Sequence, residues 1–345
     1  MKRLILTLIL FGLFLIRFQT SFQASQNLDR YAGKSITISG RISSQINLQG
    51  NSQSFNMGRV RVRTNLYPAY EYGDKLVISG TLQRQVINRW YSRFSLIYPR
   101  IERVAAGNNI FIGFKNKLAA WYSRVLPEPE ASLLAGIALG SKRGLPQEFW
   151  QALQTTGTLH IVVASGFNVT VVMGATIFLF AGLMKRTLAI ILGIAAVMIY
   201  SLMAGLEPAI VRAAIMGSLA YFGQMLGKPS DGLRLLFLAA GAMLWFNPLF
   251  IFDIGFQLSF MATLGLILVC PRLPGWLPRG MKESLAAQIM VWPILLINFG
   301  QMSLIGIVVN SLIVPLVPYV MALSLLPWLA YVPLHLIVVI INWFG

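Results

Sequence analysis

Residues 284–345 read SLAAQIMVWPILLINFGQMSLIGIVVNSLIVPLVPYVMALSLLPWLAYVPLHLIVVIINWFG, without a single Asp, Glu, Lys or Arg. A bilayer crossing takes about 20 predominantly apolar residues, so this stretch has room for two or three. The rest of the chain points the same way. Of its 345 residues 56% are hydrophobic and only 11% charged, with a mean hydropathy of +0.68. Soluble domains carry about a quarter charged residues, so a water-facing surface cannot be built here and lipid must cover much of the protein. Including those in this stretch, apolar runs lie at 160–184, 187–205, 209–226, 233–249, 252–270, 284–300, 303–320 and 323–343. A polytopic α-helical membrane protein is expected, with a bundle over residues 160–345 of about eight spans.

The N-terminal part is organised differently. Lys2 and Arg3 precede the apolar run Leu4–Ile16, and no small-x-small pattern stands near Ala24. Residues 1–18 therefore read as an uncleaved signal anchor or first transmembrane helix. Across residues 25–105 apolar and polar residues alternate, as in Ser35-Ile36-Thr37-Ile38-Ser39-Gly40, Val60-Arg61-Val62-Arg63 and Lys75-Leu76-Val77-Ile78-Ser79-Gly80. Period-two patterns punctuated by Gly, Asn and Pro predict short antiparallel strands, and about five of them suit a small barrel such as an OB-like fold. Residues 108–158 predict interfacial, amphipathic helices, with one polar face over Asn109–Val125 and Glu128–Gly140 and a short helix over Pro146–Thr155.

Charge supplies orientation and a partner class. The chain carries 28 Lys and Arg against 11 Asp and Glu, a formal +17. Such an excess suits nucleic acid or acidic lipid headgroups. Between Ser25 and Gly107 stand 12 basic and 4 acidic residues, so +8 of the excess sits on the strand-rich segment. Lys2/Arg3, Lys185/Arg186, Lys228/Arg234 and Arg272/Arg279/Lys282 fall on one side if every run spans, and that side is expected to be cytoplasmic. The N-terminus is then inside and the strand-rich domain outside. Lys142 and Arg143 also fall outside, against the bias, which marks Arg143 as a candidate.

Polar residues within apolar runs are costly and usually face a bundle interior or a wet cavity. Three clusters stand out. In the first, His160, Ser165 and Asn168 either line a pore or gate, or Ser165-Gly166 permits close packing while Asn168 bridges helices. Ser165-Gly166 is also expected to break the helix, as tolerated at membrane depth beside a cavity or inside protein. In the second, Glu207 and Arg212 either pair with each other or meet a phosphate or another helix. In the third, Asp253 and Gln257 are four apart and share a helix face, unless Asp253 caps the helix N-terminus.

Catalysis is not expected. Ser165 lies in Ala-Ser-Gly without a Gly-x-Ser-x-Gly elbow, and there is no Walker A sequence. One cysteine, Cys270, excludes an intrachain disulfide, and two histidines, His160 and His335, exclude a histidine-rich metal centre. No metal or cofactor is expected.

The run Leu133-Leu134-Ala135-Gly136-Ile137-Ala138-Leu139-Gly140, then Leu145-Pro146, Phe149 and Thr156-Gly157-Thr158-Leu159-His160-Ile161-Val162-Val163-Ala164-Ser165-Gly166, resembles the core signature of the ComEC competence family. Val211-Arg212-Ala213-Ala214-Ile215-Met216 and Asn247-Pro248-Leu249 through Asp253-Ile254-Gly255-Phe256-Gln257-Leu258-Ser259-Phe260 resemble its second signature, and Gly73-Asp74-Lys75-Leu76-Val77-Ile78-Ser79-Gly80 is similar to its extracellular OB-like domain. The resemblance implies a channel in the bacterial inner membrane that imports single-stranded DNA during natural transformation. By it, Arg59, Arg61, Arg63, Arg89 and Arg93 would track phosphates, with bases stacking on aromatics near Trp90, Tyr91 and Phe94. Arg143, His160, Ser165, Asn168, Glu207, Arg212, Asp253 and Gln257 would line the pore or gate. Many members have histidine where this chain has Asn168, so no titrating or metal role is carried over to it. Longer members carry a metallo-β-lactamase-like domain, and no His-x-His-x-Asp-His run is present here, so the expectation is either a truncated chain or a short form served by a separate nuclease. The implied partners are single-stranded DNA, membrane lipid, an extracellular DNA receptor and a cytoplasmic DNA-translocating ATPase, and a homo-oligomer is compatible. Two rivals stay open: an ion-coupled transporter of another anionic solute, and a membrane-anchored DNA-binding scaffold.

Overall fold

A pleated strand sends successive side chains to opposite faces, and that sorting builds the N-terminal domain. The computed structural model describes residues 12–23, 27–44, 46–49, 52–86, 92–105, 107, 110–141, 144–162, 165–228, 230–300 and 303–345. Its strands are β1 (Ser35–Arg41), β2 (Asn47–Gln49), β3 (Ser52–Met57), β4 (Val60–Asn65), β5 (Lys75–Val86), β6 (Ser92–Ile97) and β7 (Arg100–Ala105). Hydrogen-bonded neighbours run β1-β5-β6-β4-β3-β2, with β7 also on β5. Every pair is antiparallel except β4 with β6, which is parallel. The length of β5 lets three strands share it: β1 and β7 pair with its first part and β6 with its last. One face buries Phe55, Val60, Val62, Leu82, Phe94 and Leu96 as the domain core. The expected barrel is not closed by a ladder among the described residues. Beyond β1 the chain meets β3 through the backbone bond from Ser43 N to Asn56 O at 2.9 Å and through the β2–β3 ladder.

A buried carboxylate ties this domain together. Asp74, fully buried at the start of β5, accepts from Glu71 N (2.8 Å), Arg103 Nη2 (2.9 Å) and Gly107 N (2.7 Å). Burying a charge is affordable only when it is paired and hydrogen-bonded, and here both oxygens are engaged. The arrangement pins the far end of β7 and the exit of the domain to β5. It also requires glycine at 107, where a Cβ would lie 2.6 Å from the Gly73 carbonyl carbon.

The chain divides into two compact units, Met1–Ile110 with Ala242–Asp253, and Phe111–Gly241 with Ile254–Gly345. The sequence reading did not foresee that a segment from the helical part would join the first unit. Its physical basis lies in α1 (residues 12–23). Arg17 Nη2 donates to Phe246 O at 3.1 Å, and Phe18 and Phe22, stacked on each other, each lie 6.4 Å from the Phe252 ring. The first part of the expected anchor, residues 1–11, lies outside the described residues.

The second unit is helical: α2 (Ile110–Val125), α3 (Glu130–Leu139), α4 (Gln147–Thr155), α5 (Leu159–Val162), α6 (Gly166–Ala181), α7 (Arg186–Met203), α8 (Pro208–Met225), α9 (Gly232–Phe246, shared with the first unit), α10 (Ile254–Leu268), α11 (Arg279–Phe299), α12 (Gly306–Ile313), α13 (Val317–Ala322) and α14 (Pro327–Phe344). Among the described residues five helical stretches are long and apolar enough to cross a membrane: Arg186–Met203, Ile254–Arg272, Arg279–Phe299, Gly306–Leu325 and Pro327–Phe344. Helices α6 and α9 are apolar but shorter, and the run 160–184 is split between α5 and α6. The expectation of one polar face on α3 is corrected. Nine of its ten residues are buried, and the core around it includes Leu133, Leu134, Ile137, Leu153, Val309 and Leu334. Asp74→Asn should lower the unfolding free energy of the N-terminal domain by about 2–4 kcal/mol, because one oxygen becomes a donor facing a donor. Denaturant unfolding followed by Tyr and Trp fluorescence measures it.

Candidate functional site

Two places gather the residues that the sequence singles out, one in each unit. On the N-terminal sheet, Val60 and Val62 enter the core, so the pleat turns Arg61 and Arg63 to the opposite face. Register places Arg61 beside Asn56 of β3 and Ser95 of β6, and Arg63 beside Ser54 and Ile97. Phe94 and Leu96 are buried, so Arg93 shares that outward face, opposite Gln85 of β5. Arg61 Nη2 donates to Ser54 Oγ at 3.3 Å and Arg63 Nε to Ser52 Oγ at 3.1 Å. None of the residues named on this face is a carboxylate. The crowding registers on Arg61, whose pKa is lowered by partial burial, then by Arg93, then by Arg63. A cluster of like charges without internal neutralisation favours an external anion.

Arg59 does not belong with that pair. It shares their parity in sequence, but the turn Gly58-Arg59, with Gly58 at φ +60°, takes it off the pleat. It lies instead in the lining of a cleft with Tyr31, Ile38 and Met57. Arg89, Trp90 and Tyr91 lie outside the described residues, as do Lys142 and Arg143.

In the helical unit the expected helix break is present: α5 ends at Val162 and α6 begins at Gly166, with Ser165 in extended backbone at φ −98° and ψ 163°. Ser165 Oγ donates to Asn168 Oδ1 at 3.1 Å, and the fully buried Asn168 donates Nδ2 to Ile137 O at 2.9 Å. Asn168 thus ties α6 to α3. His160 is exposed, and its Nδ1 lies 3.1 Å from Gly157 O, placing the N–H donor there. The glycines of the first signature have local reasons. Gly140 ends α3 in the left-handed region at φ +63°, and a Cβ on Gly136 would lie 2.5 Å from Val162 Cγ1.

Arg212 is not paired with Glu207. Glu207 precedes α8, while the Arg212 guanidinium turns to α10, where Nη1 donates to Ser259 O and Thr263 Oγ1 and the Phe260 ring centre is 6.0 Å away. Arg212 Nε and Ser259 Oγ are both buried with no hydrogen-bond partner among the described residues. On the third side, a Cβ on Gly166 would lie 2.7 Å from Arg212 Nη2. Asp253 and Gln257 do not share a helix face, because Asp253 stands in extended backbone at φ −83° and ψ 122°, before α10 begins. Sequence reasoning missed Lys115. Its buried ammonium donates to Gly140 O (3.3 Å) and Met203 O (3.4 Å), at the C-terminal ends of α3 and α7, where helix dipoles favour a cation.

Gly166→Ala should cost about 1–3 kcal/mol of stability by forcing the fixed guanidinium aside. In an Arg212→Ala background the same change should cost distinctly less, the remaining close contact being Ala213 Cβ at 3.1 Å, a coupling that a double-mutant cycle of thermal unfolding in detergent reads directly.

Comparison with known proteins places this geometry in a family. Residues 137–345 match the family model described as Competence protein. ComE operon protein 3 of Bacillus subtilis (strain 168) is 27% identical over 208 residues, covering 59% of this chain and 27% of that protein. Competence protein ComA of Neisseria gonorrhoeae is 28% identical over 201 residues, covering 53% and 28%. An uncharacterized protein of Aquifex aeolicus (strain VF5) is 29% identical over 179 residues, covering 51% and 42%. The chain therefore spans less than half the length of each of these relatives. The matched region holds Asn168, Arg212 and the Ile137 carbonyl that Asn168 reaches, and it takes in more than half of the chain, which belongs to the ComEC-type competence protein family.

Proposed function

We propose that this protein is a channel component for taking up single-stranded DNA across the bacterial inner membrane in natural transformation. The observation that carries the reading is the guanidinium cluster of Arg61, Arg63 and Arg93, outward on one sheet face where their register neighbours Asn56, Ser54, Ser95, Ile97 and Gln85 are uncharged. Arginines two apart on a strand are separated by about 6.6 Å, a spacing suited to successive phosphates of an extended nucleic-acid strand. Strand order with one parallel pair in an otherwise antiparallel sheet supports an OB-like, partly open barrel. The domain then lies outside the membrane and the apolar helices form the conduit. Within that conduit Arg212 contributes a cation whose contacts are a carbonyl and a hydroxyl, leaving its charge available to a passing phosphate. Partner proteins supply DNA reception and the motor.

The full chain in detergent should bind a dT oligonucleotide, with log affinity falling linearly against log salt concentration. Replacing Arg61, Arg63 and Arg93 together by glutamine should reduce that slope by about 2, since each phosphate contact on a single strand accounts for about 0.7. An unchanged slope removes this face from the DNA path. The conduit is tested in cells whose only copy carries Arg212→Ala. Transformation should fall by about tenfold or more at normal protein level, in line with losing a desolvated cation from a site that stabilises passing charge. Undiminished transformation there would sink the pore assignment.

A further inference from the structure

Among the described residues, strand β1 carries an open edge beside an apolar cleft. The phase of its ladder settles which backbone groups are free. Leu82 N donates to Lys34 O and Ile42 N to Asp74 O, both at 3.0 Å, in the register that sets Ser35 opposite Thr81. Even-numbered residues of β1 therefore bond to β5. Alternate residues of an antiparallel strand turn their N–H and C=O the other way, and here those are Ser35, Thr37 and Ser39. Farther along the same chain Ser43 N reaches Asn56 O at 2.9 Å and β2 pairs with β3, while among the described residues Ser35–Arg41 themselves make no ladder with β3. Where the two strands part lies a cleft of about 440 Å³, lined by Tyr31, Ile36, Ile38, Met57, Val60 and Arg59 among others.

An open strand edge by itself accepts any strand, so charge must choose the occupant. Ser35–Ser39 is uncharged, but the exposed cations Lys34, Arg41 and Arg59 surround it within a segment of net +8. A second copy of β1 would bring the same cations against these. A nucleic-acid strand would answer the charge, and its phosphates could accept from N–H groups two residues apart, but its backbone has no donor for the outward C=O groups of Ser35, Thr37 and Ser39. We infer that β1 accepts an extended segment of a partner protein by strand addition. Its alternate apolar side chains enter the cleft and its acidic residues face Lys34, Arg41 and Arg59. This surface lies apart from the Arg61–Arg63–Arg93 face and does not depend on the DNA reading.

The test uses the full chain in detergent and a fluorescent ten-residue peptide of alternating valine and aspartate, with a valine–lysine peptide as control. The acidic peptide should bind and the basic one should not. Thr37→Pro removes only an outward N–H and leaves the β1–β5 ladder whole, so it should weaken peptide binding by about tenfold or more. Thr37→Val, which loses the same hydroxyl contact to Ser79 but keeps the N–H, should bind as the wild type does. Ser39→Pro repeats the test one register along if Thr37→Pro does not fold. Binding of the dT oligonucleotide should be the same in all of them. The inference is overturned if the acidic peptide fails to bind, or if a folded proline variant binds it undiminished. It is equally overturned if the proline instead breaks a dimer of the chain, which makes the occupant a second copy, or abolishes oligonucleotide binding, which makes it a nucleic acid.

Discussion

A polar group withdrawn from water must find its partner inside the chain, and the helical unit is organised by that requirement. Asn168 reaches the Ile137 carbonyl, Lys115 answers carbonyls at the ends of α3 and α7, and Arg212 answers a carbonyl and a hydroxyl of α10. Each contact crosses from one helix to another. Apolar helices in lipid gain nothing from hiding apolar surface against each other, so packing and interhelical hydrogen bonds decide their arrangement. These few polar side chains therefore specify which helices meet. The glycines serve the same end by letting backbones approach. Gly136 and Gly265 each admit a neighbour to within 2.5 Å of where a Cβ would stand.

The N-terminal domain solves the opposite problem. Its core assembles by burying one face of the sheet, and most of its charge stays on the surface. Asp74 is the exception: a buried carboxylate met by Arg103 and two backbone N–H groups, which holds the strands that frame the domain's exit. Three other arginines, Arg61, Arg63 and Arg93, gather on one face. Their mutual repulsion is held in place by a hydrophobic core on the reverse side, from Phe55 to Leu96. A fold that spends stability in keeping cations together presents a surface ready for a polyanion.

Several features were legible before the structure because they depend on local pattern. The period-two runs at residues 35–40, 60–63 and 75–80 became β1, β4 and β5, and Ser165-Gly166 did break the helix. The competence signature was readable in Leu133–Gly140 and Thr156–Gly166, and the family match bears it out. Partner choice was not legible. Arg212 lies five residues from Glu207, which invited an ion pair, yet helix geometry turns it to residues 47 and 51 positions away. Arg59 has the parity of Arg61 and Arg63, but the turn at Gly58 removes it from their face. Asp253 and Gln257 have helical spacing, but the helix starts between them.

Composition and order along the chain determined that lipid must cover much of this protein, that a basic strand-rich domain precedes the helices, and which family it belongs to. Each of these follows from local averages or contiguous motifs, which need no knowledge of distant contacts. Only the tertiary structure decided that α1 joins residues 242–253, that α3 is buried on nearly every side, and that β1 keeps an open edge among the described residues. These depend on contacts between residues far apart in sequence. A residue's own identity and spacing say that it needs a partner; the packing of the whole chain selects which one.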